Sequence, residues 1–119
     1  MKKVLAVDDS RTLRDMLANC LTGAGHEVRT ACDGAEALKE LREFGPDIVI
    51  TDLNMPVMDG LDFIEAARAE DAGRDLPLLL LTTETASELK ERAKRVGATG
   101  WLTKPFSADQ VLNLIDRLA

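Results

Sequence analysis

Two rhythms alternate along this chain. Short runs are apolar at every position: Val4-Leu5-Ala6-Val7, Ile48-Val49-Ile50 and Leu78-Leu79-Leu80-Leu81. Longer stretches between them space apolar residues as Leu13, Met16, Leu17, Cys20 and Leu21 are spaced. A strand that is apolar on both faces has to lie between two layers, as strands do in a parallel sheet covered by helices. The second spacing lines up one stripe along a helix. The pattern predicts an α/β fold with helices on both faces of a parallel sheet.

Turn and cap residues set the boundaries. The first strand is predicted at about Lys3 to Asp8, and the helix after it stops at Gly23 and Gly25. The second strand covers about His26 to Cys32. Asp33, with Glu36 three residues on, opens the second helix as a capping box. That helix buries Ala37, Leu38 and Leu41 and ends at Gly45-Pro46. The third strand is Asp47 to Asp52, followed by a helix from near Asp59-Gly60 that turns Leu61, Ile64 and Ala67 inward. The fourth strand is Pro77 to Thr82. The fourth helix takes Thr85 as its cap, with Glu88 reaching back and an end at Gly97. The fifth strand, Gly100 to Thr103, leads to a helix capped by Ser107 and Gln110 that buries Val111, Leu114, Ile115 and Leu118. The whole reads as one domain over residues 1–119, with no linker or repeat.

Composition agrees. A chain of 119 residues, 45% hydrophobic and 30% charged, suits one globular core. A net charge of -6 argues against nonspecific nucleic-acid binding. No apolar run approaches a membrane span. Met1-Lys2-Lys3-Val4 runs straight into a strand and leaves no room for a secretory signal, so a cytoplasmic protein is expected. Cys20 and Cys32 read as small buried thiols, without zinc-type spacing. His26, after Gly25, reads as a surface residue.

Chemistry collects where the strands end. Asp8 and Asp9 close the first strand, Asp52 the third, Thr82 the fourth and Lys104 the fifth. Ligands of open α/β sheets sit outside the carboxyl ends of the strands. Asp8-Asp9 alone reads equally well as cap and loop acids. With Asp52 and Lys104 in register, the set reads as one crevice. Carboxylates this close raise one another's pKa unless a cation intervenes. Mg2+, a hard ion that takes oxygen ligands and leaves room for a phosphate, suits them.

These residues also carry a family resemblance. Val7-Asp8-Asp9-Ser10, the run Thr51-Asp52-Leu53-Asn54-Met55-Pro56-Val57-Met58-Asp59-Gly60, Leu81-Thr82-Thr83-Glu84 and Leu102-Thr103-Lys104-Pro105-Phe106 each follow the expected strand. Together they resemble the receiver domain of two-component response regulators, most closely the stand-alone chemotaxis type. The resemblance implies a flavodoxin-like, doubly wound sheet in the order 2-1-3-4-5, an order for which a protein of this type is a standard example. It implies that Asp52 is the phospho-accepting carboxylate. Asp9 would ligate Mg2+ directly, Asp8 through water, and Asn54 through its backbone carbonyl. Lys104 would pair with phosphate oxygens and Thr82 would hydrogen-bond one of them. Lys104-Pro105 would be a cis peptide.

Partners follow from the same resemblance. A histidine kinase or histidine phosphotransfer domain would dock near Arg11 and Arg14. A downstream protein would meet the face made by the fourth helix, fifth strand and fifth helix, including Lys90, Lys94 and Trp101. Trp101 stands at the aromatic switch position beside Thr82. A monomer is expected. The chain would catalyse only its own phosphorylation and dephosphorylation. Alternatives are a phosphate sink, part of a longer transcriptional regulator, or a small aspartyl-phosphate phosphotransferase. The last lacks a substrate cap and an Asp-x-Asp pair. A flavin carrier of this topology is disfavoured because Asp8-Asp9 would repel a flavin phosphate.

Overall fold

The computed structural model describes residues Met1–Ala119. Ten elements alternate without exception: β1 (Lys3–Val7), α1 (Arg11–Gly23), β2 (Glu27–Ala31), α2 (Gly34–Phe44), β3 (Ile48–Asp52), α3 (Gly60–Arg68), β4 (Leu78–Thr82), α4 (Ser87–Val96), β5 (Gly100–Thr103) and α5 (Ala108–Leu118). A 3-10 turn that was not foreseen, Asp71–Gly73, precedes β4. All five strands are parallel, in the order β2-β1-β3-β4-β5. The both-face apolar runs are the central strands: every residue of β3 and β4 is buried. One core layer joins Leu5, Val49, Leu78 and Leu80 to Phe63 and Ile64 of α3 and Ala37 and Leu41 of α2. The other joins Val4, Ile48, Ile50 and Leu79 to Leu17, Leu21, Val111 and Ile115 of α1 and α5. Each such aliphatic side chain contributes roughly 2 kcal/mol when fully withdrawn from water.

Helix starts agree with the predicted caps, except at α4. Asp33, Asp59 and Ser107 accept from the backbone N–H three residues on, and Ser107 and Gln110 close a full capping box. At α2 the box is half-formed, because the Glu36 carboxylate takes the Cys32 thiol instead of the cap N–H. The expected Thr85 cap is not there. Ala86 holds the cap position without a side-chain bond, because the chain leaving β4 first makes a turn closed by Glu84 N–H on Thr82 Oγ1 at 3.0 Å. Arg92 of α4 reaches across to Asp62 of α3 at 3.0 Å. The cysteines are free and half-buried, not buried. His26 is also half-buried, since its Nδ1 accepts the Lys2 N–H at 3.1 Å.

The edge opposite the strand ends is tied by one residue. Arg68 donates from Nε and Nη2 to the Gly97 carbonyl at 3.0 and 2.8 Å. Its Nη1 donates to the carbonyls of Gly73, Arg74 and Leu76, and Nη2 also reaches Thr99 Oγ1. Thr99 Oγ1 in turn accepts the Leu78 N–H at 3.0 Å. The end of α3, the 3-10 turn and the starts of β4 and β5 are thus joined through one guanidinium.

Candidate functional site

β1 and β3 are neighbours, with Val7 beside Thr51, so Asp8 and Asp52 emerge side by side at the carboxyl edge. Oxygens of Asp8, Asp9 and Asp52 all lie within 4.8 Å of one another. The strand turns at this point, and the adjacent acids part company: Asp8 is 1% exposed, whereas Asp9 is exposed. α3 begins close beneath. A Cβ at Gly60 would collide with the Asp52 carbonyl, and the Gly60 N–H donates to Leu53 O at 2.8 Å. Only glycine allows the helix this close to the strand end.

Lys104 reaches the acids from β5. Its Nζ lies 2.9 Å from Asp52 Oδ1 and 3.5 Å from Asp8 Oδ2. Lys104-Pro105 is cis, as the resemblance implied, and the Lys104 N–H donates to Thr82 O at 2.8 Å. Asp52 Oδ1 also accepts the Leu53 N–H at 3.0 Å, while Oδ2 has no hydrogen bond. Asp8 Oδ1 accepts the Ser10 N–H at 2.9 Å.

Burial pulls the Lys104 pKa down, but the Asp52 hydrogen bond and the charges of Asp52 and Asp8 outweigh it and the net direction is up. Burial pushes the Asp8 carboxyl up, and the Asp52 charge adds to this. The Ser10 N–H and Lys104 return only part. The two directions are compatible. Lys104 gains two partners, whereas Asp8 shares one ammonium at the longer distance.

A folded pKa above the unfolded one means that the folded state binds more protons across that interval. Stability is then greatest below the ordinary aspartate range and falls as pH rises towards the folded pKa. Metal-free Asp8→Asn should therefore melt higher than wild type at pH 7. The gap should close towards pH 4. Calorimetric melts in a chelator check this, and a variant that melts lower at pH 7 would show that the Lys104 pair outweighs the burial.

The other predicted residues stand around this centre. Thr82 is buried at the end of β4, and its Oγ1 is occupied by the Glu84 N–H. Asn54 is exposed just past Asp52. Arg11 is exposed, 3.8 Å from Asp15. Arg14 is half-buried and turned inward, with Nη1 donating to the Asp8 carbonyl at 2.7 Å. Trp101, Lys90 and Lys94 lie apart from the acids, around a cleft of about 200 Å³ between α4 and β5. Trp101 packs on the core that includes Ala93, and its Nε1 is buried without a partner. Sequence reasoning did not find the inward bond of Arg14, since an arginine in a first helical turn carries no pattern that gives its direction.

The donor set fits a hard divalent cation: carboxylate oxygens, one deeply buried, with more negative charge than one ammonium neutralises. The sequence matches the model of the response regulator receiver domain over residues 4–116. The chain belongs to that family. Among relatives of this receiver domain, the chemotaxis protein CheY-3 of Vibrio cholerae is 36% identical over 98% of this chain and 90% of its own length. TcrX of Mycobacterium tuberculosis, described as a probable transcriptional regulatory protein, is 38% identical over 92% of this chain but only 46% of its own length. Among solved structures, Vibrio cholerae CheY4 superposes with a TM-score of 0.95 at 48% identity, covering 100% of this chain and 99% of that one. The receiver domain of the sensor histidine kinase PA1611 of Pseudomonas aeruginosa, solved with magnesium in its active-site cleft, gives a TM-score of 0.90 at 25% identity, covering 98% of this chain and 96% of that one. The protein is a CheY-like receiver domain of two-component signalling.

Proposed function

We propose that this receiver accepts a phosphoryl group on Asp52 from a phosphohistidine and switches a protein partner, in the cytoplasm and in chemotaxis. The observation carrying this is the Lys104 ammonium 2.9 Å from Asp52 Oδ1 inside the Asp8, Asp9 and Asp52 cluster. Asp52 Oδ2, with its lone pairs unengaged, attacks phosphorus. The P–N bond breaks, and its electron pair leaves with the donor imidazole. Asp8, Asp9, Asp52 and the Asn54 carbonyl would hold Mg2+, which supplies charge neutralisation and orients phosphate oxygens. Lys104 is placed to follow the growing charge on the phosphoryl oxygens. Nothing in the family match points to an activity on a separate substrate.

Output rests on α4 and β5. α4 buries only Ala93 and lacks a side-chain cap, so shifting it disturbs little packing. The Thr82 hydroxyl would leave the Glu84 N–H for the phosphate, and Trp101 would repack beside it, a population shift between two arrangements. The face bearing Lys90, Lys94 and Trp101 would receive the target, and the Arg11 end of α1 the phosphodonor. A receiver module within a longer regulator is the second reading, favoured by the half-length match to TcrX.

Trp101, the only tryptophan, makes the switch measurable. Mg2+ should change its emission, and a stable phosphoryl mimic should change emission and quencher access further. Unchanged emission and quenching with the mimic would reduce Trp101 to packing and remove the proposed output face.

A further inference from the structure

Asp9 is the exposed member of the carboxylate cluster, and its side chain has no hydrogen bond or ion pair, unlike Asp8 and Asp52. Its place beside Asp8 and Asp52 is therefore set by the backbone alone. On the strand side, the Asp8 N–H is held by Ala31 O at 3.0 Å. On the helix side, Ser10 is held by its N–H on Asp8 Oδ1, by its carbonyl accepting the Arg14 N–H at 2.9 Å, and by its Oγ accepting the Leu13 N–H. Between these anchors lies the peptide joining Asp8 to Asp9. Its carbonyl has one partner, the Arg14 guanidinium, at 2.7 Å and half-buried. Rotation of that peptide plane swings the Cα–Cβ direction of Asp9 away from the other two carboxylates.

We infer that Arg14 is a positioning residue for the cation site: by holding the Asp8 carbonyl it fixes the orientation of Asp9 and so sets Mg2+ affinity. This rests on the Mg2+ reading above. A short, charge-assisted bond from a planar guanidinium is suited to the task, because it restrains direction as well as distance. The inference has a sign that simple electrostatics reverses. Arg14 is a positive charge beside a cation site, so removing it would by Coulomb's law alone tighten Mg2+ binding. Loss of positioning weakens it.

The test is equilibrium titration with Mg2+ by calorimetry on wild type, Arg14→Met and Arg14→Lys, with melts in chelator alongside. Arg14→Met keeps the apolar stem without donors and should bind about tenfold more weakly, the scale of losing a group that orients a ligand. Arg14→Lys keeps the charge and one donor and should lose only about threefold. The metal-free melts should fall far less than would account for the lost affinity. If Arg14→Met does not fold, Arg14→Lys decides, and wild-type affinity there overturns the inference. Equal or tighter Mg2+ binding by a folded Arg14→Met also overturns it. A wild type without saturable Mg2+ binding would overturn the metal site itself, and the inference with it.

Discussion

Incubated with a small acyl phosphate and Mg2+, the wild-type protein should gain the mass of one phosphoryl group, and Asp52→Asn should gain none. The loss is complete because the amide has no anionic oxygen to attack phosphorus, and no other carboxylate has the same setting. Asp8 is buried, its Oδ1 is taken by Ser10 and its Oδ2 faces Lys104, while Asp9 makes no ion pair with Lys104. The substitution should leave the fold intact, since the Asn oxygen can still accept the Leu53 N–H and the Lys104 ammonium. The adduct on wild type should be labile to base and to hydroxylamine, as an acyl phosphate is. Intact-mass spectrometry reads both points, and equal labelling of Asp52→Asn would move the acceptor elsewhere.

Arg68→Ala should produce the largest loss of stability. It strips partners from the carbonyls of Gly73, Arg74, Leu76 and Gly97 and from Thr99 Oγ1 at once. Bonds from a charged donor are each worth about 1.5–3 kcal/mol, but water can reach part of this edge, so roughly 3 kcal/mol in total is expected. For a domain of this size that lowers the melting temperature by about 10–15 °C. Arg68→Lys should recover little, because an ammonium cannot span acceptors that a planar fork reaches in several directions. A drop below about 2 °C for Arg68→Ala would mean that solvent replaces the whole set at no cost.

These two residues also mark how far sequence reasoning reaches. Asp52 was legible because strand ends can be read from apolar runs, and the sheet edge then brings together residues far apart in the chain. Which strands are neighbours came from the family resemblance; the runs themselves say only that each strand is buried. Arg68 was invisible, since backbone carbonyls accept its bonds and carbonyls have no residue type. The split between buried Asp8 and exposed Asp9 was missed because it depends on where the strand turns. The Thr85 cap failed for a related reason: a turn closed on Thr82 Oγ1 took up the residues that would have begun the helix. The Ser107 box succeeded because both of its partners lie within one helical turn.

The Arg68 bonds and the carboxylates sit at opposite ends of the same strands. β4 starts just past the Leu76 acceptor and ends at Thr82, six residues beyond Leu76, a span of roughly 20 Å along an extended chain. Groups that far apart with no shared partner contribute almost additively. Stability gained at the Arg68 edge and stability given up by the buried Asp8 carboxylate can therefore be adjusted independently on one small sheet. A lineage moving to a warmer habitat can gain stability around the Arg68 edge without altering the carboxylates that would take up the phosphoryl group.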